Sequence, residues 1–167
     1  MGTKALRGMV IMVVMAGLAV FAVISARQLG PQRPPTGVLA DRLAERVTVL
    51  MENDFRAVTA GTDEPVRCAA EPFGVRPEGL TKAAQATTVY AWVYCRTLRA
   101  PGRPDRTLLT PVAVRFDRPP SVRMPERGAD RERSILRIFP ADVRSALARV
   151  DPRVLRASVD GVARRQG

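Results

Sequence analysis

The feature that most constrains this chain is an uninterrupted apolar segment close to its N-terminus. Residues 8–26 (GMVIMVVMAGLAVFAVISA) contain no charged side chain, and Arg7 and Arg27 bound them. An α-helix of this length measures about 28 Å, close to the ~30 Å hydrocarbon core of a bilayer. Apolar side chains would surround such a helix on every side, which is typical of a membrane span. We therefore predict a short tail over residues 1–7 and a transmembrane helix over residues 8–26.

Whether such a segment stays in the protein depends on its length and on the residues at its end. A cleaved signal peptide has an apolar core of about 7–15 residues and a cleavage site of small residues. The segment here is longer, and cleavage after Ala26 would place the bulky Ile24 where a small side chain is needed. No cysteine follows it for lipid attachment. We expect an uncleaved signal anchor, and the alternative is cleavage that releases a secreted protein.

The next residues separate this segment from the rest of the chain. Residues 27–37 (RQLGPQRPPTG) contain three prolines and two glycines, a composition that favours an extended linker over a helix. Residues 38–163 are numerous enough to form one domain with its own core. The last residues, 164–167, are polar and basic, and we expect them to form a loose tail.

Within residues 38–163 the hydrophobic pattern changes from a helical period to a strand period and back. Apolar residues recur at spacings of three and four over residues 38–60, which predicts an amphipathic helix that Gly61 ends. Alternating and β-branched segments predict strands over 66–75, 87–98, 108–117 and 122–124. After these strands, apolar residues at helical spacing and prolines at positions 140 and 152 predict a turn up to Phe139 and then helices over 140–149 and 152–159. The predicted fold class is α+β: a long helix packed on an antiparallel sheet, with C-terminal helices completing the core.

Two features indicate how the strands are arranged. Residues 99–106 (RAPGRPDR) form a turn signal, so the second and third predicted strands are expected to make an antiparallel hairpin. Pro111 lies in the third strand and has no N–H to donate to a neighbouring strand. We therefore expect the start of the third strand to lie at an edge of the sheet.

The chain has two cysteines, Cys68 and Cys95, and both fall in predicted strands. Neighbouring antiparallel strands can bring such a pair to disulfide distance, and closing a loop of this size stabilises a fold by about 3–4 kcal/mol in the chain-entropy model. Disulfides persist in oxidising compartments, which agrees with an export-type leader. We predict a Cys68–Cys95 disulfide, with two buried free thiols as the alternative.

The composition excludes several kinds of active site. The chain has no histidine, which removes the commonest general base, the Ser-His and Cys-His nucleophile systems and the commonest metal ligand. It also has no phosphate-binding glycine loop and no Cys-x-x-Cys motif. We therefore predict no catalytic, cofactor-binding or metal-binding residue. Paired carboxylates stay open as a hydrolase site, although we favour solvated ion pairs for the six candidates: Glu52, Asp54, Asp63, Glu64, Glu71 and Glu78.

Three aromatic side chains share one face of the second predicted strand. Tyr90, Trp92 and Tyr94 alternate with smaller apolar residues along residues 87–98. Such a row can serve as a platform for a sugar or a peptide, or it can pack in the core. We expect it to pack under the long helix.

The charge balance and the apolar segment together limit the partners. The net charge of +11 favours acidic surroundings such as anionic lipid headgroups or polyanionic envelope polymers. We expect no nucleic acid, because no basic stripe with interleaved aromatics accompanies the membrane segment. Positive charge is similar on the two sides of residues 8–26, so the positive-inside rule does not decide the orientation. The predicted disulfide favours an N-terminus in the cytoplasm and a domain outside it.

These observations predict a single-pass protein of the cell membrane that contacts the lipid bilayer through residues 8–26. Its domain is expected to be a non-catalytic interaction or accessory module that binds another envelope protein or an anionic surface. Two alternatives stay open: an envelope hydrolase that uses paired carboxylates, and a secreted binding protein after cleavage of the leader.

Overall fold

The computed structural model describes residues 31–58, 65–98 and 106–166. The predicted N-terminal tail, the predicted transmembrane helix and residues 27–30 of the predicted linker lie outside the described residues. No helix within the described ranges combines the length and the apolar character that crossing a bilayer requires. Residues 32–167 form one compact unit.

The described part of this unit contains four α-helices and four β-strands. The helices are α1 (Gly37–Val58), α2 (Arg131–Ile138), α3 (Ala141–Leu147) and α4 (Pro152–Gln166). The strands are β1 (Val66–Arg76), β2 (Thr88–Thr97), β3 (Thr107–Arg115) and β4 (Ser121–Arg123). All neighbouring strands pair antiparallel, in the order β1-β2-β3-β4. The α+β class predicted from the sequence is therefore confirmed for the described residues.

Helix α1 covers one face of the sheet. Leu43, Val47 and Met51 recur at a spacing of four, and all three are buried. They pack against the face of β2 and β3 made by these residues: Val89, Ala91, Val93, Cys95, Val112 and Val114. A stripe at this spacing lies along one side of a helix, so α1 is amphipathic as its sequence pattern predicts.

The opposite face of the sheet is covered by the three C-terminal helices. Tyr90 packs with Phe139 and the buried residues of α3, and Tyr94 packs with Leu155 and Val159 of α4. The expectation that the aromatic row of β2 packs under the long helix is therefore wrong. β2 is central and apolar on both faces, and its larger side chains face the shorter helices while its smaller ones face α1.

The structure differs from the predicted helices at two places. Residues 131–138 form α2, although their mixed charges predict a turn; Ser134 is buried there, and its hydroxyl donates to the Arg131 carbonyl at 2.8 Å. Helix α4 continues through Gly161 to Gln166. A single glycine costs a helix only about 1 kcal/mol, so it does not by itself end one.

The packed unit starts within the segment predicted as a linker. Gln32 is 7% exposed, and its backbone N–H donates to the Asp142 carbonyl at 2.9 Å. Its side-chain amide donates to the Val75 carbonyl at 2.6 Å and accepts from the Val75 N–H at 3.2 Å. Gln32 therefore joins β1 to the start of α3.

Candidate interaction surface

The two outer edges of the sheet differ in how their backbone groups are satisfied. In an antiparallel ladder, alternate residues direct their N–H and C=O groups toward the same neighbour. Two bonds at the ends of the β2–β3 ladder show which residues of β3 face β2. The Thr97 N–H donates to the Arg106 carbonyl at 3.0 Å, and the Phe116 N–H donates to the Thr87 carbonyl at 2.9 Å. In the observed register these bonds make the even-numbered residues of β3 the ones that bond β2. The odd-numbered residues therefore direct their backbone groups away from β2.

Side chains from elsewhere close parts of the β1 edge. The Glu52 carboxylate of α1 accepts from the Cys68 N–H at 3.1 Å, and Gln32 bonds both backbone groups of Val75. Between them, Pro72 has no N–H to offer. Blocking of this kind prevents an edge strand from pairing with another chain.

The outer edge of β3 is covered only along its second half. Strand β4 pairs with Ala113, Val114 and Arg115 and with no earlier residue of β3. Among the described residues, the outward backbone groups of Thr107 and Leu109 have no hydrogen-bond partner. The prediction that the start of this strand lies at a sheet edge is therefore confirmed.

A groove of about 380 Å³ lies along this open edge. Its lining residues are Thr107, Leu108, Leu109 and Thr110 of β3, together with Met124, Pro125, Arg127 and Arg131. The chain leaves the ladder after Arg123, because the buried Pro125 cannot donate to a strand. It then turns at Gly128, whose φ of 77° favours glycine. Met124 stays 42% exposed and gives the groove an apolar rim.

Two arginines give the groove a positive charge. Two of the acidic residues beside these arginines are already engaged: Glu126 pairs with Arg137 at 2.6 Å, and Asp130 pairs with Arg133 at 3.0 Å. Arg127 and Arg131 are exposed and have no carboxylate partner in the part of the chain that the structure describes. The groove therefore combines free backbone hydrogen-bonding groups with two guanidinium groups available to an anion.

The predicted disulfide residues lie opposite each other in the sheet. Cys68 of β1 and Cys95 of β2 are register partners with Cα atoms 4.0 Å apart, and their Sγ atoms are 2.02 Å apart. Cys95 is fully buried beneath α1. The bond therefore joins the two strands directly under the long helix.

The aromatic row is part of the core. Tyr90 and Tyr94 are 7% and 6% exposed, and burial raises the pKa of the Tyr90 phenol. The Trp92 indole N–H donates to the Leu147 carbonyl at 2.9 Å, which ties β2 to the end of α3. Helices therefore cover the two tyrosines, and the partly buried Trp92 packs beside them with its indole N–H bonded to the backbone.

The structure disperses most of the candidate carboxylates. Glu52 bonds the Cys68 backbone, Glu78 pairs with Arg76 at 3.1 Å, and Asp54 is exposed. Two further candidates, Asp63 and Glu64, lie outside the described residues. Over the described ranges, no group of three or more His, Cys, Asp or Glu residues could hold a metal ion.

Glu71 is the candidate carboxylate with a perturbed environment. Burial raises its pKa, and the negative charge of Asp151 raises it further. Asp151 itself accepts a hydrogen bond from the Arg153 N–H at 2.9 Å, so it caps the start of α4. Glu71 and Asp151 are 80 positions apart, so no local sequence pattern indicates that they lie close together.

A second hollow of about 440 Å³ lies between α1 and Phe116. Arg46 lies over the Phe116 ring at 3.8 Å from its centroid and donates to the Ala83 carbonyl. Burial lowers the pKa of Arg46. Its guanidinium is thus used to hold α1 against the sheet, whereas the groove beside β3 keeps its charged groups available.

No motif in the sequence indicates that the groove residues form a site. Pro111 indicates the open edge, but the approach of Met124 and Arg127 to β3 depends on where the chain leaves β4.

Comparisons of the chain with protein-family models, with curated proteins and with solved structures find no match.

Proposed function

We propose that this protein is a single-pass membrane protein whose domain is a non-catalytic interaction or accessory module of the cell envelope. Residues 8–26 are the uncleaved anchor, the N-terminus lies in the cytoplasm and the domain lies on the other side of the membrane. The observation that carries the interaction role is the groove beside β3, where the outward backbone groups of Thr107 and Leu109 have no partner among the described residues and lie next to Arg127 and Arg131.

The proposed location is supported by two independent features. The apolar segment has the length of a bilayer core and no charged residue. The Cys68–Cys95 bond joins the edge strand β1 to the central strand β2, and disulfides persist in the oxidising compartments that exported domains reach.

The location is tested by fusing alkaline phosphatase, and separately green fluorescent protein, after Gly167. We expect phosphatase activity and no fluorescence. The chain should stay in membranes after carbonate washing, and its intact mass should show that the N-terminal residues are still attached. Fluorescence with an inactive phosphatase would refute the orientation. A shortened, soluble chain would instead support the secreted alternative.

The interaction role is tested with a photoreactive phenylalanine analogue at Thr107 of the full-length protein in native membranes. Arg118 provides the control position, because it is exposed and lies outside the groove lining. We expect a discrete protein adduct from position 107 that is absent from position 118. Equal labelling from both positions, or labelling of lipid alone, would contradict an interaction site at the groove.

The competing proposal is an envelope hydrolase that uses Glu71 and Asp151. The proximity of two carboxyl groups favours it, because burial and the Asp151 charge raise the pKa of Glu71 and a glycoside hydrolase requires a pair of carboxyl groups with different roles. Hydrolysis of envelope polysaccharide by the purified full-length protein, abolished in Glu71→Gln, would establish this activity and overturn the non-catalytic proposal.

A further inference from the structure

We propose that the open edge of β3 binds an acidic, extended segment of another protein as an added β-strand. This inference rests on the interaction role proposed above and specifies the chemistry of the partner. It requires three properties of the groove: free backbone groups at strand spacing, room beside them, and positive charge.

The backbone groups have the spacing that an incoming strand requires. Thr107 and Leu109 are two residues apart, so their outward N–H and C=O groups repeat every ~7 Å along β3. An extended peptide presents its own N–H and C=O groups at the same interval. Pro111 follows with a carbonyl but no N–H, which limits the added pairing to a short segment beside residues 107–111.

The groove provides room in line with an existing strand. Strand β4 already lies on this side of β3, opposite Ala113–Arg115, and an added segment would continue along the same edge. The rim formed by Met124 and Pro125 lies across the groove from β3 and can contact apolar side chains of the segment. The β1 edge lacks this capacity where Glu52 and Gln32 already bond its backbone.

The charge of the groove selects the partner. Arg127 and Arg131 are placed to bond carboxylates, while the nearby Glu126 and Asp130 are held by other arginines. A second copy of this chain would bring an identical pair of guanidinium groups to the same edge, which disfavours self-pairing. A polyanionic polymer would satisfy the charges but would leave the outward amides of Thr107 and Leu109 unpaired.

The test uses the full-length protein in nanodiscs of phosphatidylcholine, which adds no net lipid charge. The probe is a fluorescein-labelled eight-residue peptide of alternating glutamate and valine. Each of three comparison peptides lacks one property of the probe. The first alternates lysine and valine and so lacks the negative charge, and the second is the acidic sequence with every backbone amide N-methylated. The third is the acidic sequence in scrambled order with prolines replacing valines, so it lacks the strand pattern. Binding is measured by fluorescence anisotropy, and amide hydrogen exchange is followed over residues 106–111.

Two variants test the protein side. Thr107→Pro removes one outward N–H, and its control Thr107→Val changes the same side chain but keeps that N–H. The double change Arg127→Gln and Arg131→Gln is matched by a second double change, Arg118→Gln with Arg149→Gln, which removes two exposed charges outside the groove lining. Emission of the single tryptophan, Trp92, reports whether each variant keeps its fold.

We expect the acidic peptide to bind and to slow exchange over residues 106–111. Thr107→Pro and the change at Arg127 and Arg131 should each weaken binding about tenfold or more, and the two controls less than twofold. The N-methylated peptide provides the same test with the unchanged protein, so the result does not depend on the folding of Thr107→Pro.

The other outcomes each overturn the inference in a recognisable way. Equal binding of the N-methylated and the unmodified acidic peptides would show a charge patch for polyanions in place of strand addition. No binding of any peptide, with an adduct still formed from position 107 in membranes, would overturn the acidic-strand partner and leave the proposed interaction role standing. Loss of both signals would overturn both proposals.

Discussion

Gln32 provides the sharpest test of the fold, because a single polar side chain within a proline-rich segment secures the edge of β1. In Gln32→Ala, the buried N–H of Val75 loses its hydrogen bond to the side-chain amide oxygen. The Val75 carbonyl loses the 2.6 Å bond from Nε2 but keeps a weaker contact at 3.4 Å with Nη1 of Arg76. The two losses are therefore unequal, and the loss of the hydrogen bond from the Val75 N–H costs more.

The size of the effect follows from these contacts. A buried N–H without a partner costs about 1–3 kcal/mol, and the lost bond to the carbonyl adds about 1 kcal/mol. We expect Gln32→Ala to lower the free energy of unfolding by about 3 kcal/mol. For a compact unit that spans residues 32–167, this corresponds to a fall in Tm of roughly 10 °C.

The assay is urea and thermal unfolding of the full-length protein in detergent, followed by the emission of Trp92. The control is Arg33→Ala, the exposed neighbouring residue, for which a change within about 0.5 kcal/mol is expected. Gln32→Glu adds a diagnostic, because its ionised carboxylate opposes the Val75 carbonyl. Its destabilisation should shrink as the pH falls and the carboxyl becomes protonated. Equal stability of Gln32→Ala and Arg33→Ala would refute the role given to Gln32.

Three further predictions concern other parts of the fold. Replacing Cys68 and Cys95 together by alanine should lower the free energy of unfolding by about 3–4 kcal/mol in urea, and reductant should then have no further effect; an unchanged midpoint would contradict this. Gly74→Ala would place a Cβ 2.2 Å from Cγ1 of Val143, so a loss of about 2 kcal/mol or more is expected in thermal unfolding, and a near-native Tm would show that α3 shifts freely. Glu71 has a raised pKa in the folded state, so the stability that its proton contributes is present below pH ~4.5 and is lost as the pH rises through the folded value. Glu71→Gln should remove this dependence in urea midpoints measured from pH 4 to 8, and parallel curves for the two proteins would contradict it.

Periodic features of the sequence predict much of the fold. The spacing of Leu43, Val47 and Met51 predicts α1 because one buried side of a helix needs apolar residues at that interval. The alternation around Trp92 predicts β2 as a central strand because both of its faces carry apolar residues. These patterns depend on local geometry alone, so they can be interpreted without knowing which element covers each face.

Features that depend on long-range contacts could not be predicted in this way. The aromatic row packs under α2–α4 and not under α1, because the assignment of faces requires the positions of all helices. Gln32 lies in a sequence that is typical of a linker, and its role depends on a contact with Val75, 43 positions away. The groove also depends on long-range contacts. Pro111 signals an edge, but the approach of Arg127 to β3 depends on a turn at Gly128 that follows the end of β4.

The disulfide also determines how the domain would respond to a pulling force. A load applied between the N-terminal segment and the C-terminus passes from Cys68 to Cys95 through the sulfur atoms and bypasses the covalent loop between them. With 27 positions shielded and at most ~3.6 Å gained per residue, the oxidised chain should extend about 90 Å less than the reduced chain when the domain is stretched. Reduction of the disulfide would thus increase the length to which the chain extends under tension.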